Sequence, residues 1–354
     1  MGCTAALANV CRRRHSDKPG AQPMPSTRFT DPAAVDAWDQ WFRWRHAEGL
    51  RDRTIDATWA RVAHAVADAG DDHASMGRYI DAFSRWQLLP DERLLRSAGT
   101  ARHAGPLEAP VATLNVSAFV ASPLTRQAQW DMEGFARVAA LSVRLLDDAL
   151  VAVHGATAGV SDLRIGVMGF ADAMVLLGIG YADAEALQLA RRVGAALALG
   201  TLRGTVELAH ERGAIDPHPD HRVALWRDRG IPQPLIDDAL RWGVRHARLS
   251  AIERQPRLAL LANNASDALD PAPARHRPST NRGARGQTTP HVATVDHVAA
   301  QLALRAAIQP WIDAPIAYPL VTPADPDAQP LVECQQPADS FGLCDPRSRN
   351  IPTQ

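Results

Sequence analysis

Apolar residues recur at helical spacing along most of the chain. Asp31 and Pro32 resemble a helix cap and first turn, and Trp38, Trp41 and Phe42 then fall at i, i+3 and i+4 on one face. We interpret this aromatic stripe as a core-facing surface rather than a ligand site. The same period predicts helices over residues 31–45, 54–69, 76–88, 129–155, 183–212, 233–247 and 294–313.

Strand patterns are few. The segment "PVATLNVSAFVAS" at residues 110–122 is rich in Val, Thr and Phe, which favours a strand, and "RLALLANN" at 257–264 predicts a second, short one. We therefore predict an α/β protein dominated by helices.

Four glycines punctuate the stretch "RIGVMGFADAMVLLGIGYADAEA" at residues 164–186. Their spacing matches neither a dinucleotide-binding fingerprint nor a P-loop. Between Gly169 and Gly178 the run is apolar except for Asp172, and no proline interrupts it. This pattern favours a buried helix bracketed by glycines over a phosphate-binding loop.

Composition narrows the class of protein. The 354 residues are 46% apolar and carry a formal net charge of −1, so a sizeable core is expected and nucleic-acid binding is not. No apolar run reaches the roughly 20 residues that span a bilayer. The four cysteines lie near the termini, which favours a cytoplasmic protein. We expect residues 1–29 to be a disordered tail, whose first part could be an over-extended start before Met24.

One cluster suggests a metal site. His210, His218 and His221 lie near Asp216 and Asp220 in the sequence, and imidazoles with carboxylates are metal ligands. However, two prolines interrupt the loop, and no i, i+4 histidine pair sits on a helix. A solvated turn is the preferred interpretation, so we predict no metal.

Two other sets are candidates for chemistry. Cys334 and Cys344 could form a disulfide or a thiol relay, although two incidental thiols explain them as well. Arg254 and Arg257 flank flexible segments and could bind an anion, with solvated arginines as the alternative. No nucleophile elbow, zinc-protease motif or Walker loop is present.

Five stretches, in order, resemble one family. They are "LLPDERLLRSAGT" (88–100), "LRIGVMGFADAMVLLGIGYADAEA" (163–186), "ELAHERGA" (207–214), "WGVRHARLSAIERQPRLALLANNASDALDP" (242–271) and "DHVAAQLALRAAIQPWIDAPIA" (296–317). The second resembles the Gly-Val-Met-Gly-Leu-Ala-Asp signature of ribonucleotide reductase catalytic chains, and the third resembles their Leu-Ala-x-Glu-Arg-Gly segment. The chain thus resembles a shortened, degenerate large chain, nearest the adenosylcobalamin-dependent type.

The resemblance implies an organisation of the chain. We expect an N-terminal helical domain at 30–100, a reductase-barrel remnant at 101–325 with a mobile loop at 271–291, and an irregular tail at 326–354. Too few strands are present to close a barrel, so an open sheet edge would need covering by a second copy or by a full-length reductase chain. Adenosylcobalamin or a nucleotide is implied as a ligand by the resemblance alone.

The resemblance also assigns residues. The signature positions that we expect to be structural are Asn115, Gly166, Met168, Gly169, Asp172, Gly178 and Arg245.

The residues that carry the family's chemistry are altered. Ala109 stands where the family has one of its reducing cysteines, and the segment with the thiyl-forming cysteine has no counterpart between Thr100 and Ala109. No cysteine occurs from residue 12 to residue 333. The family's phosphate-binding Pro-Thr-Gly-Ser has become Arg254-Gln255-Pro256-Arg257, and Glu92 stands where a phosphate-binding hydroxyl is expected, so its charge would repel phosphate.

Two functions follow as hypotheses. The favoured one is a protein that has lost radical catalysis and acts by binding a partner protein or a nucleotide. The alternative is an active ribonucleoside-diphosphate reductase component in deoxyribonucleotide synthesis that uses Cys334 and Cys344, near the position of the family's C-terminal thiol pair.

Overall fold

A computed structural model describes residues 26–46, 49–70, 73–100, 107–154, 162–270 and 295–321. The fold is helix-dominated α/β, as predicted. Its α-helices are α1 (Pro32–Ala37), α2 (Ile55–Ala69), α3 (His73–Ser84), α4 (Glu92–Ser97), α5 (Met132–His154), α6 (Phe170–Leu177), α7 (Ala184–Arg212), α8 (Val223–Asp228), α9 (Gln233–Trp242), α10 (Pro256–Leu261) and α11 (Val295–Ile308). Most of the predicted disordered tail, the 271–291 loop and the 326–354 tail lie outside the described residues.

Several helix ends follow from the sequence signals. Thr54 caps α2 by accepting the N–H of Ala57 at 3.3 Å, and Gly213, with a φ of 92°, ends α7. α9 stops at Trp242 instead of residue 247 because Gly243 takes a φ of 76°. The predicted 31–45 helix is also interrupted, since a π-helix, Trp38–Phe42, follows α1.

The predicted strand at 257–264 is wrong, because this segment forms α10. Pro256 occupies its first turn, where its fixed φ favours a helix, and Leu258 and Leu261 bury one face. Asn263 and Asn264 then take left-handed conformations, with φ of 58° and 59°, and turn the chain.

A three-stranded sheet lies at the centre. Its strands are β3 (Leu88–Pro90), β4 (Val111–Asn115) and β7 (Arg164–Met168), while β1 (Arg45–His46) pairs with β2 (Gly49–Leu50) and β5 (Val120–Ala121) with β6 (Gln129–Trp130).

In the central sheet, β4 runs antiparallel to β3 and parallel to β7. Ile165 of β7 also forms a parallel bridge with Ser250. The predicted 110–122 strand ends at Asn115, and a 3₁₀-helix, Val116–Phe119, begins there.

The core is built around α5 and α7, which pack side by side and run parallel, since Gly200 lies against Ala136 and Gly204 against Ala140. Gly200 of α7 permits their close approach, because a Cβ there would overlap Ala136 of α5. The largest apolar cluster extends from Trp38 to Tyr318. It includes Trp59 of α2 and Leu114 of β4, so the predicted N-terminal domain and barrel remnant share buried residues. Their boundaries stay a prediction.

The edge strand β3 is covered by the chain itself. Leu88 and Leu89 are fully buried, and Pro90 offers no N–H for further pairing. The expected oligomer therefore gains no support from an open edge at β3. Among the described helices, none combines the length and apolarity that crossing a membrane requires.

Candidate functional site

A cleft of about 290 Å³ lies where β4 and β7 end. β4 supplies Asn115, its last residue, and the first turn of α6, which follows β7, supplies Asp172. We call this the strand-end cleft. Its lining residues are Arg85, Trp86, Asn115, Ser117, Ala118, Asp172, Ala262, Asn263, Asn264 and Ala265.

Asn115 provides a hydrogen-bond donor in the cleft. Its Oδ1 accepts the N–H of Ser117 at 3.2 Å and the hydroxyl of Ser117 at 2.7 Å. Its Nδ2 makes no hydrogen bond with the described residues, although the residue is only 5% exposed. The Ser117 hydroxyl donates to Asn115, so its oxygen keeps lone pairs that can accept a hydrogen bond.

The opposite wall is held by Asp172 and Ser266. The N–H of Ser266 donates to Asp172 Oδ2 at 2.6 Å, and Ser266 Oγ accepts the N–H groups of Ala171 and Asp172 at 3.2 and 3.4 Å. The N–H of Gly169 donates to Ser266 O at 2.7 Å. Because protein oxygens already accept from these N–H groups, the contacts support a structural assignment of this helix start over a phosphate-binding one.

Arg85 and Trp86 form the rim. Arg85 is 55% exposed on its side chain and donates to Asp81 at 2.9 Å. Trp86 has a φ of 56° and donates from Nε1 to Arg28 O at 3.2 Å, with Phe29 against its ring. A cation and an aromatic ring thus border the amide and hydroxyl of the cleft. Sequence reasoning missed this rim, since neither residue belongs to a motif.

The structure pairs both predicted anion-binding arginines with carboxylates. Arg254 Nη2 lies 2.8 Å from Asp270 Oδ2, and Arg257 Nη1 lies 3.3 Å from Glu92 Oε2. Both arginines are partly exposed, and neither lines the strand-end cleft. The expected repulsion at Glu92 is therefore offset by a guanidinium, and the anion-site hypothesis stays a prediction.

Arg245 lies in a buried ionic cluster. Its Nε donates to Asp147 Oδ1 at 2.7 Å, and its Nη1 donates to the carbonyls of Arg212 and Gly213 at the end of α7. Arg212 also contacts Asp147, at 2.6 Å. These contacts tie α5 to α7 and support a structural assignment of Arg245.

His246 joins the same cluster. Its Nε2 lies 3.2 Å from Asp147 Oδ1, and its Nδ1 lies 3.0 Å from the hydroxyl oxygen of Thr205. Burial lowers the pKa of His246. Burial also opposes ionisation of Asp147, but hydrogen bonds and charge from His246 and Arg245 outweigh it and hold the pKa of this carboxyl below its usual range.

The order Thr205, His246, Asp147 has the connectivity of a nucleophile triad but not its setting. Thr205 is fully buried, and its oxygen accepts the backbone N–H groups of Arg245 and His246 at 3.0 and 3.1 Å. Its hydroxyl proton is thereby directed to His246 Nδ1, which keeps that imidazole neutral. Because Thr205 is fully buried and its oxygen already accepts two backbone N–H groups, the arrangement supports a packing role in the core rather than catalysis.

Two of the remaining signature residues, Gly166 and Met168, pack tightly, and the third, Gly178, ends a helix. Gly166 faces the Ala251 carbonyl at a distance that leaves no room for a Cβ, Met168 is fully buried, and Gly178 caps α6 with a φ of 73°. Cys334 and Cys344 lie outside the described residues. Over the described ranges no group of three His, Cys, Asp or Glu residues could hold a metal, and His221 Nε2 lies 4.0 Å from Asp216 Oδ2.

Comparison with known proteins agrees with this architecture. Residues 110–246 match the family model of the ribonucleotide reductase barrel domain. Two curated proteins, each named vitamin B12-dependent ribonucleoside-diphosphate reductase and from two strains of Mycobacterium tuberculosis, are 26% identical over 171 residues. That alignment covers 46% of this chain and 24% or 23% of theirs.

The fold is that of a helix-dominated α/β protein, and residues 110–246 are similar to the ribonucleotide reductase barrel domain. The chain is ribonucleotide-reductase-like, and it resembles a shortened large chain. It spans about a quarter of the length of the curated relatives that it matches, since the alignment covers 24% of the first.

The strand-end cleft does not fit a corrin cofactor. At about 290 Å³ it is below the size of a pocket for a drug-sized ligand, which is roughly 300–1,000 Å³. We therefore assign no step to adenosylcobalamin.

Proposed function

We propose that this ribonucleotide-reductase-like chain binds a nucleotide in the strand-end cleft and does not reduce it. The observation that carries the proposal is the lining of the cleft. It combines an unused amide donor, a hydroxyl acceptor, a guanidinium and an indole, but contains no thiol.

The polar groups suit a nucleotide. The Nδ2 of Asn115 and the hydroxyl oxygen of Ser117 can hydrogen-bond ribose hydroxyls, which both donate and accept. Arg85 at the rim can contact a phosphate group through charge-assisted hydrogen bonds. Trp86 supplies an aromatic surface for a base. The small volume of the cleft indicates that only part of the nucleotide is enclosed.

Radical reduction in the family requires an S–H bond at the active site. The sequence places all its cysteines at positions 3, 11, 334 and 344, and the described residues that line the cleft include no cysteine. Asn115 Nδ2 and Ser117 Oγ cannot substitute for a thiol in hydrogen abstraction. These groups support binding without reduction.

The alternative, an active reductase component, depends on Cys334 and Cys344. Cys334 lies thirteen positions after Val321 in the sequence. A chain of that length spans up to about 45 Å when extended, and the alternative requires this segment to bring a thiol to the cleft. The alternative therefore predicts that turnover is lost when Cys334 and Cys344 are both replaced by serine.

Calorimetry tests the binding proposal. Nucleoside diphosphates are titrated into the wild type and into Asn115→Asp, which keeps an oxygen for Ser117 but replaces the amide donor. A second variant, Arg85→Gln, removes the rim charge. Arg137→Gln is the control, because Arg137 is an exposed arginine with the same kind of i,i+4 acidic partner.

We expect binding by the wild type and the control, and a loss of about tenfold or more in both cleft variants. The melting temperature should be unchanged in Arg85→Gln, and Asn115→Asp should melt somewhat lower but as a folded protein, because its new carboxylate is buried. Equal affinity in all four proteins, or no binding by the wild type, would contradict the proposal. If the wild type binds no nucleotide, light scattering with a full-length reductase chain then tests the partner-protein hypothesis.

A further inference from the structure

A second cavity, of about 220 Å³, lies at the other end of the sheet. We call it the arginine cavity and define it by Leu202, Arg222, Trp226, Arg229, Arg248 and Asp313. Ala247 to Leu249 also border it, and they precede Ser250, which pairs with Ile165 of β7 in parallel. The cavity is therefore at the amino end of these strands, whereas the strand-end cleft is at the carboxyl end.

The charges of this cavity are unbalanced. Three arginines line it against one carboxylate, Asp313. Asp313 is already engaged, since Oδ1 accepts from Arg229 at 2.7 Å and Oδ2 accepts the N–H of Leu249 at 2.9 Å. Arg229 is thus neutralised, and the remaining positive charge belongs to Arg222 and Arg248.

Arg222 has no acidic partner among the described residues. Its guanidinium donates to the carbonyl of Ala247, and it is only partly exposed. A partly buried cation with only a carbonyl acceptor gains from a charge-assisted bond to an anion. Arg248 is 68% exposed on its side chain and lies 3.7 Å from Asp162, which is outside the lining, so it can move toward a ligand.

The rest of the wall is apolar. Leu202 and Trp226 belong to a small apolar cluster between α7, α8 and α9, and Trp226 is only 4% exposed. Leu225, 44% exposed, stands at the mouth. The hydroxyl of Thr201, also in the lining, donates to Leu197 O at 2.8 Å within its own helix. The donors left for a ligand are therefore the guanidinium groups.

We infer that the arginine cavity binds a small amphipathic organic anion. Its carboxylate or phosphate would contact Arg222 and Arg248, and its ring or short chain would pack on Trp226 and Leu225. The volume of about 220 Å³ is below that of pockets for drug-sized ligands, so the ligand must be smaller than a drug-sized molecule. The site shares no lining residue with the strand-end cleft.

Four probes separate the two parts of this ligand. Phenyl phosphate and benzoate carry an anion on a ring, inorganic phosphate carries only the charge, and benzyl alcohol carries only the ring. By calorimetry we expect phenyl phosphate or benzoate to bind at least about tenfold more tightly than the last two. Whichever of phenyl phosphate and benzoate binds more tightly shows whether the site prefers a phosphate or a carboxylate group. Equal binding of inorganic phosphate, or no binding of any probe, would overturn the inference.

Variants place the binding in the cavity. We expect Arg222→Gln to weaken binding of the better probe at least about tenfold, and Arg227→Gln, an exposed arginine of α8 outside the lining, to leave it unchanged. Because Arg222 also holds Ala247, Leu225→Asp at the exposed mouth is a second variant that should weaken binding by repulsion without disturbing the core. Wild-type affinity in Leu225→Asp, or in a folded Arg222→Gln, would overturn the inference. Asn115→Asp should bind the probe normally, so failure here is distinguishable from failure of the proposed nucleotide site.

Discussion

Gly169 packs directly against the side chain of Asn115. A Cβ on Gly169 would overlap Asn115 Oδ1, and the glycine has a φ of 68°, a left-handed conformation that side chains disfavour. Asn115 is the last residue of β4 and Gly169 follows β7, its parallel neighbour, so the glycine sets the position of the cleft amide.

Gly169→Val should therefore destabilise the protein more than Gly178→Val does. Gly178, at the other end of α6, has a φ of 73° but nothing within 4 Å of an added Cβ. Both variants are destabilised because valine disfavours the left-handed conformation. Gly169→Val is destabilised by about 1–3 kcal/mol more, because its side chain also overlaps Asn115. Chemical denaturation measures the difference. Equal stabilities would mean that the contact with Asn115 is unimportant, and loss of nucleotide binding without loss of stability would indicate a ligand loop.

Thr113→Val should stabilise the protein by about 1 kcal/mol. Thr113 is buried in β4, and its hydroxyl has no hydrogen-bond partner among the described residues. Thr58→Val is the matched control and should destabilise by about 1–3 kcal/mol, because the hydroxyl of Thr58 donates to Asp52 and accepts from Trp38. In thermal melts we expect the melting temperature to rise in Thr113→Val and to fall in Thr58→Val. A lower melting temperature in Thr113→Val would show that the hydroxyl of Thr113 does make a hydrogen bond.

Stability should fall as the pH is lowered from 7 to 5. His246 has a lowered pKa in the folded protein, so below the ordinary value of 6.5 the unfolded chain binds more protons, and stability rises with pH. A difference of one bound proton between the unfolded and folded states changes the free energy of unfolding by at most about 1.4 kcal/mol per pH unit. Asp147, whose folded pKa is also lowered, adds a further loss below its ordinary value of 3.8.

The His246→Gln variant isolates this contribution. We expect it to flatten the dependence of the unfolding free energy on pH between 7 and 5, whereas His64→Gln, at an exposed position of α2, should keep the wild-type slope. Parallel curves for wild type and His246→Gln would mean that His246 titrates normally in the fold.

The Arg254→Ala/Arg257→Ala double variant tests the proposed anion site. Because Asp270 and Glu92 already pair with these arginines, we expect only a small part of the heat with inorganic phosphate, ATP or dATP to depend on them. That part is lost in the variant, whereas nucleotide binding in the strand-end cleft, which neither arginine lines, remains. Equal heats in both proteins, or none in either, would remove the anion-site hypothesis for these two residues.

Local sequence signals predicted much of the fold. The long helices α5 and α7 and the glycine-bracketed α6 were predicted because their apolar periods and end residues lie within one segment. The strand β7 was missed, since a short apolar run before a helix has no period of its own. The apolar run of 257–264 favours a strand, but Pro256 in front of it starts a helix, and the helix prevails.

The cleft could not be predicted, because its lining comes from residues 85–86, 115–118, 172 and 262–265. Their proximity depends on the pairing of β4 with β7 and on the turn at Asn263 and Asn264. The partner of Arg257 is likewise 165 positions away in the sequence. Asn115 and Asp172 were singled out through the family resemblance alone, as structural residues, and the structure places both in the cleft lining.

The most direct test of the central claim is a turnover assay with the full chain. A ribonucleoside diphosphate, at a concentration that calorimetry shows to be bound, is incubated with adenosylcobalamin and a dithiol, and the deoxyribonucleotide is quantified by chromatography. Binding without reduction predicts no product above a control that lacks the protein. Multiple turnovers would contradict the account. If they are lost in Cys334→Ser/Cys344→Ser, the alternative of an active reductase component is supported instead, and if they survive in it, the argument from the thiol-free core is wrong as well.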